Sequence, residues 1–403
     1  MTSEWPIYSP ATADRISGLV RAGDVFDYSG GGPVLELEQE FSVRHEGRLA
    51  LTFNSGTSAL FAGFVALGLE PGDEVIVPNL TFLSTVSPLL WLGATPVLCD
   101  TGPEETGMSP AAVERAITDR TRAIVVTHVF GYPVDMPRIM KVARSRGLPV
   151  VADCSHAHAS TINGRPVGAF GDIAVFSLGA RKMVSGGHGG VLLTDDPVWR
   201  DSALLVGHFK PRARTVTSVA VLRAQAEYGL GGNLRMSPLS AALALDHLAR
   251  LDDIAGAKQA NIALIDEALA GRLLPVPALP GAVNRTHFDL VYGLPDDVPA
   301  ARRDQIVREL VATGVPVGVP ATRPLNRVLR AVAASPVHQR GILWSRLAGH
   351  AAAAVADDGL PYSTDLHDRL ISFPATLLHG ENRAYAEQLA ASVGQVDWAA
   401  LWD

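Results

Sequence analysis

Lys182 lies in the run Phe176-Ser-Leu-Gly-Ala-Arg-Lys-Met-Val-Ser-Gly-Gly-His-Gly-Gly190, just after a stretch that reads as a buried strand. A lysine held in a partly desolvated site sheds its proton readily and can form an imine with a carbonyl group. Taken alone, the segment reads equally as a solvated lysine in a glycine-rich loop. Five residues earlier, Ser177 sets a hydroxyl at the end of the same strand, where a phosphate could be met. Asp153 ends the run Gly147-Leu-Pro-Val-Val-Ala-Asp153. A carboxylate at the tip of a buried strand needs a partner, because an unpaired buried charge is costly. A protonated pyridine nitrogen is one such partner, and its protonation is what makes that ring an electron sink; a helix cap or a structural ion pair are the others. His156 could donate to a phenolic oxygen, whereas His158 reads as structural.

Three further segments could complete a site. Asn54-Ser-Gly-Thr-Ser-Ala-Leu60 follows a strand and opens a helix. Gly56 leaves the first backbone N–H groups open, and Thr57 and Ser58 add hydroxyls, so a phosphate fits there as well as plain helix capping does. Phe82, in Pro78-Asn-Leu-Thr-Phe-Leu-Ser84, could stack on a flat heterocycle or belong to the core. Asn233 follows Gly231-Gly232 and precedes Ser237-Pro238, a good helix start, but its own contacts are not readable locally.

The elements that must hold these residues are legible as short apolar runs. Leu49–Phe53, 74–77, 96–99, 123–127, 149–152, Ile173–Ser177 and Gly190–Thr194 read as strands. Helical patterns intervene at 57–69, 83–92, 110–117 and 136–146. Strands apolar on both sides imply a sheet covered on both faces, and the strand–helix repetition predicts parallel βαβ units. Ligands of such sheets bind beyond the carboxyl ends of the strands, where Asp153 and Ser177 fall. A long Ala/Leu-rich helix is expected from Pro238 to about Leu251, with further helix to about Leu269. After the Pro/Gly-rich 274–283, a strand at 289–292, a helix at 302–313, a helical Ala-rich stretch at 332–355, a strand at 371–374 and a last helix at 382–393 outline a small α+β unit. The expected division is an N-terminal segment, 1–24, packing on the small domain; a large α/β domain, 25–255; and the small C-terminal domain, 256–403.

With 403 residues, 47% of them hydrophobic, the chain can bury a large core, and its net charge of −7 offers no basic footprint for nucleic acid or an anionic membrane. Two cysteines, Cys99 and Cys154, exclude a disulfide framework and fit a reducing compartment. The first ten residues lack the character of a signal peptide, and no apolar run is long enough to span a bilayer, so a soluble cytoplasmic protein is expected. No metal site is read from the sequence.

Taken in order, the segments resemble the DegT/DnrJ/EryC1/StrS family of sugar and cyclitol aminotransferases. The likeness runs from about Tyr28 to Ala257. It carries Gly32-Pro33 with Glu36-Leu-Glu38, Asn-Ser-Gly-Thr-Ser-Ala-Leu, Pro-Gly-Asp-Glu-Val-Ile-Val-Pro, Thr81-Phe82, His128-Val-Phe-Gly131, Asp-Cys-Ser-His and Gly168-Ala-Phe-Gly-Asp172. The Ser177 and Lys182 pair and Asn233-Leu-Arg-Met-Ser complete it, and beyond residue 270 only Ile371-Ser-Phe-Pro374 remains. The resemblance implies the fold of type I pyridoxal-phosphate enzymes and pyridoxal 5'-phosphate as cofactor. By position, Lys182 looks like the Schiff-base lysine, Asp153 like the partner of the pyridine nitrogen, His156 like the contact of the phenolic oxygen, and Phe82 like the aromatic over the ring. Gly56 opens the helix at the phosphate, where Thr57, Ser58 and Ser177 match phosphate-binding positions. Asn233 matches an asparagine that reaches the neighbouring subunit's phosphate, which implies a homodimer with shared active sites.

Two departures stand out: His188 where the family usually has Glu, and Gly179-Ala180-Arg181 before the lysine. The implied reaction is ping-pong amino transfer from L-glutamate or L-glutamine to a keto sugar, ketocyclitol or related carbonyl, in sugar or secondary-metabolite (antibiotic) biosynthesis. Elimination or dehydration on the same scaffold and a non-catalytic regulatory or binding protein are the rival readings. A nicotinamide enzyme is disfavoured, since no strand is followed by Gly-x-Gly-x-x-Gly. Arg212, Arg214 and Arg235 read by default as solvated surface groups.

Overall fold

The computed structural model describes residues 4–208, 210–336, 341–355 and 359–402. Its centre is a seven-stranded sheet built from β1 (Leu49–Phe53), β2 (Glu74–Pro78), β3 (Thr95–Cys99), β4 (Thr121–Thr127), β5 (Val150–Asp153), β6 (Ile173–Ser177) and β7 (Gly190–Thr194). The spatial order is β1-β7-β6-β5-β4-β2-β3. All neighbours from β6 to β3 are parallel, and only β7 runs against its partners, β1 and β6. The link from β6 to β7 is glycine-rich and contains no helix, so it cannot make the crossover that a parallel return requires.

Successive residues of each strand point to opposite faces, and both faces are covered. Ile124, Val126, Val150 and Ala152 meet Val34, Leu37 and Phe41 of the helix Gly32–Arg44 and Met136 and Ile139 of the helix Met136–Ser145. Ala123, Val125, Val151 and Val175 face the helices Gly56–Ala66 and Pro197–Gly207 on the other side. This is why the strands are apolar throughout. The chain is an α/β protein with a mostly parallel sheet between helical layers.

A second core lies around the three-stranded antiparallel sheet of Leu274–Pro275, Leu290–Gly293 and Leu370–Phe373. The helix Leu251–Leu269 ties the two together: Leu251 and Ala255 belong to the large core, while Ile262, Ile265 and Leu269 belong to the small one. The division of the chain differs from the expectation in two respects. The helix Leu325–Ala334 returns to the large sheet, where Leu325 and Leu329 join Leu89 and Leu90; Leu347 and Ala351 of Gly341–Ala354 do the same. Of the expected helix at 332–355, positions 337–340 lie outside the described residues. The N-terminal segment, expected on the small domain, bonds chiefly to the large one. Ser9 and Thr12 donate to Asp246 at 2.6 and 2.9 Å, and Trp5 also reaches the C-terminal part, at His379. Expected as one helix, 83–92 is a 3₁₀ turn (Leu83–Thr85) followed by Ser87–Leu92, because Pro88 lacks an N–H and starts a helix rather than continuing one.

Candidate active site

The sheet reverses its winding between β4 and β2, and a crevice opens there beyond the carboxyl ends of the strands. A cavity of about 130 Å³ occupies it, lined by Gly56, Thr57, Phe82, Asp153, His156, Ser177 and Lys182, together with Leu60, Thr81, Ser84, Thr85, Thr127 and Ser155. Seven of the nine residues singled out from the sequence thus share one cavity, although they come from four separate stretches of chain.

Asp153 is buried and oriented by hydroxyls. Thr85 Oγ1 donates to Oδ2 at 2.7 Å, and the Ser155 N–H donates to Oδ1 at 3.1 Å. Thr81 Oγ1 extends the chain of hydroxyls, 2.9 Å from both Thr85 Oγ1 and Thr127 Oγ1. Among the described residues no cation lies within ion-pair distance of this carboxylate. Sequence reasoning missed Thr85 and Ser155, though Ser155 stands inside the Asp-Cys-Ser-His run.

His156 is buried, and desolvation holds its pKa well below the ordinary value, with Lys182 pushing the same way. Its Nδ1 accepts from the Phe130 N–H at 3.3 Å, so the neutral ring carries its proton on Nε2 as a donor. Phe130 adopts φ 55°, a left-handed conformation unusual for an aromatic residue, to present that N–H. Phe288 stacks on the imidazole at 3.8 Å with a 14° tilt. The same ring holds Lys182 Nζ 3.9 Å from its centroid. Burial lowers the Lys182 ammonium from the usual range to about 8, Asp153 opposing and Arg181 adding to the shift. Trp5 Nε1 donates to the Lys182 carbonyl at 2.9 Å and its indole stacks on His247 at 4.6 Å. Phe288 and Trp5 lie outside the motifs, and nothing local in the sequence marks them.

At the other end of the cavity the helix Gly56–Ala66 begins. Ser55 caps it, accepting from the Ser58 N–H at 3.0 Å. A Cβ on Gly56 would come within 2.8 Å of the Ser177 Cβ, so only glycine lets the helix start meet the end of β6 this closely. Thr57 and Ser177 line the cavity, but Ser58 does not; its Oγ donates to Asn54 Oδ1 at 2.7 Å. Asn233 is exposed and off the cavity wall, its main chain bridged to His208. His188 is exposed too and does not line the cavity. His158 is buried against Phe176 and kept neutral by desolvation, at about 3. Arg212 corrects the surface reading: it is 5% exposed and pairs with buried Glu38 through contacts of 2.6 and 2.8 Å. Arg214 pairs with Glu227 at the surface, and Arg235 packs over Tyr28 at 4.8 Å.

A proton-shedding lysine, an unpaired carboxylate, a donor imidazole and an open helix start around one cavity suit amine chemistry on an anionic heterocycle. Similarities to known proteins agree with that geometry. The chain is 35% identical over 256 residues to the GDP-perosamine synthase of Escherichia coli O157:H7, covering 63% of this chain and 68% of that protein. It is 31% identical over 395 residues to the L-glutamine:2-deoxy-scyllo-inosose aminotransferase of Streptomyces kanamyceticus, covering 94% and 89%. The aminotransferase from Psychrobacter cryohalolentis superposes with a TM-score of 0.84 at 26% identity over both whole chains. The model of one family matches residues 15–333. On that match and that arrangement of residues, the chain belongs to the DegT/DnrJ/EryC1/StrS aminotransferase family.

Proposed function

We propose that the protein holds pyridoxal 5'-phosphate on Lys182 and transfers an amino group from L-glutamate or L-glutamine to a keto sugar, a ketocyclitol or a related carbonyl. The observation that carries the reading is Lys182 and the unpaired Asp153 carboxylate facing one cavity that also receives a helix start. The residues present fit the cofactor. Asp153 lacks the cation that a protonated ring nitrogen would supply. Gly56, Thr57 and Ser177 offer backbone and hydroxyl donors for its phosphate, and Phe82 stands over the cavity for its ring. When bound, the cofactor supplies an aldehyde that takes up the donor's nitrogen and a ring that draws off the electron pair left on carbon.

The chain's own residues do the rest. Lys182, with its affinity for protons lowered by burial, carries a useful share of free amine near neutrality, so its Nζ can take a proton from the substrate carbon and return it. Asp153 would keep a ring nitrogen protonated, its carboxylate held in place by the Thr85 hydroxyl on Oδ2 and the Ser155 N–H on Oδ1. His156 donates through Nε2 toward the cavity. The relatives that are perosamine synthases and inosose aminotransferases support the acceptor class, and those that are L-glutamine aminotransferases support that donor. Asn233, off its own cavity, is proposed to complete the site of a second copy in a homodimer.

The test is the visible spectrum of protein reconstituted with pyridoxal phosphate, before and after each donor. A lysine-bound band that L-glutamine or L-glutamate bleaches, with release of the keto acid, is expected. Lys182→Ala should abolish the band and lower amino transfer by about a thousandfold or more. Wild-type turnover in that variant would overturn the assignment, and loss of ammonia or water without amino transfer would favour elimination.

A further inference from the structure

Phe288 is not part of the wall of the Lys182 cavity; it stands behind two side chains that are. The His156 imidazole lies 3.8 Å from the centroid of its ring with a 14° tilt, and Lys182 Nζ lies 3.9 Å from the same centroid. Two groups this close to one centroid cannot share a face, so the ring separates the imidazole from the amine. Among the described residues Nζ makes no hydrogen bond or ion pair, and its charge meets the π face instead. The backbone of one residue holds both rings. The Phe130 N–H reaches His156 Nδ1 at 3.3 Å, and the Phe130 carbonyl accepts from the Phe288 N–H at 3.0 Å. The loop before Phe288 is pinned as well. Asn284 Oδ1 accepts from the N–H groups of Thr286 and His287 at 3.1 and 2.9 Å, and the His287 carbonyl accepts from Lys258 Nζ at 2.9 Å. The position of the ring is therefore preset by main-chain bonds rather than left to side-chain packing.

We propose that Phe288 is a positioning residue for the transamination, its ring being the face on which the Lys182 amine rests whenever Nζ is not bonded to carbon. The proposal rests on Lys182 being the reacting lysine, and it adds the group that holds that lysine between steps. Each half of a ping-pong exchange frees the amine, which must then carry a proton in a site poor in water. A carboxylate at bonding distance would lock it as an ammonium, and an aliphatic wall would leave its charge unmet. An aromatic face attracts the charged form but accepts no proton, so the amine can leave it to act as a base. The other charges facing Nζ are few. Asp153 and Asp289 favour the ammonium, Arg181 disfavours it, and burial keeps His156 and His158 neutral. The ring face acts with the two carboxylates, so weakening it should free the amine at lower pH.

The test replaces Phe288 by phenylalanines carrying one, two and three ring fluorines, which keep the shape of the ring and drain negative charge from its face. Cofactor-free protein is mixed with pyridoxal phosphate across a range of pH, and the rate of capture is followed by absorbance. Borohydride then fixes the product, and peptide mass spectrometry locates it. The midpoint of the pH dependence should fall with each added fluorine, by up to about one unit in all, and capture at pH 7 should quicken about two- to fivefold. Phe288→Leu should fall at least as far, while Phe288→Tyr, which keeps an aromatic face, should stay near wild type. In single turnovers with the amino donor, Phe288→Leu should lower the maximal rate about tenfold and leave the half-saturating donor concentration unchanged. A midpoint that stays fixed or rises along the fluorinated series would overturn the proposal, because a ring that merely fills space is indifferent to fluorine. Equal losses in Phe288→Tyr and Phe288→Leu would overturn it too. A label found on another lysine of the wild-type protein, or on none, would sink the Lys182 reading instead, whatever the midpoints do.

Discussion

At the scale of single residues the site is an arrangement of shifted proton affinities. The Lys182 ammonium has about 8 as its folded-state pKa, against an ordinary value of 10.5, because burial penalises its charge. Below about 8 it is charged both folded and unfolded, and the folded state carries the full cost of enclosing it. As pH rises from 8 to 10.5 the folded protein has lost the proton and the unfolded chain has not, so stability rises with pH and the cost fades. Cofactor-free Lys182→Met should therefore be more stable than wild type at pH 7, by about 2 kcal/mol after allowing for partial exposure, with the gap closing above pH 10. Urea unfolding at the two pH values measures it. In the same window, capture of pyridoxal phosphate by the cofactor-free protein should speed up from pH 7 to 9, as the free amine accumulates, and then level off. Lys182, Asp153 and His156 were legible in the sequence because each ends or follows an apolar run within a motif. Phe288, which touches both Lys182 and His156, was not, because its role comes from a loop more than a hundred residues away being folded against them.

At the scale of elements the phosphate end depends on one close approach. Gly56 lets the helix Gly56–Ala66 start against β6, with room for no Cβ beside Ser177. Gly56→Ala should separate the two by a few tenths of an ångström, cost about 1–3 kcal/mol of stability, and weaken pyridoxal phosphate more than phosphate-free pyridoxal. Equilibrium unfolding and cofactor titration check both parts; equal losses for the two cofactor forms would show that the helix start does not meet the phosphate. Gly18→Ala is the control, since nothing lies within 4 Å of its missing Cβ inside the helix Pro10–Ala22, and it should stabilise by about 0.5–1 kcal/mol. All seven strands were readable because both faces of the sheet are covered, which makes each strand apolar over most of its length, with polar residues mainly at the ends. Their directions were less so. The antiparallel course of β7 follows from a helix-free link, a signal that strand patterns alone do not register. The helix Gly32–Arg44 was overlooked although Val34, Leu37 and Phe41 fall at helical spacing, because glycine and proline open it and Leu35 and Val43 on its exposed face blur the pattern.

At the scale of the whole molecule, the small domain's sequence was the least informative. Its strands pair across about eighty residues of chain, and the helix Leu325–Ala334 leaves it for the large sheet, so no local pattern announces either contact. Asn233 raises the last question of assembly. Its main chain bridges His208, and His208 in turn bonds Thr52 and Arg212 of the buried cluster that contains Glu38. That cluster fixes Asn233 rigidly at the surface, away from its own cavity, which suits a residue serving a second copy. If it does, Asn233→Ala and Lys182→Ala each impair a site, but from opposite subunits. Mixing the two variants and allowing the subunits to exchange gives hybrids in which one site has both residues intact. Two-fold symmetric dimers mixed at random should recover about a quarter of wild-type amino transfer. If Asn233 acted within its own chain, each hybrid would combine one Lys182-deficient site with one Asn233-deficient site, and mixing would give only the average of the two variants. Recovery above that average therefore separates a shared site from two independent ones.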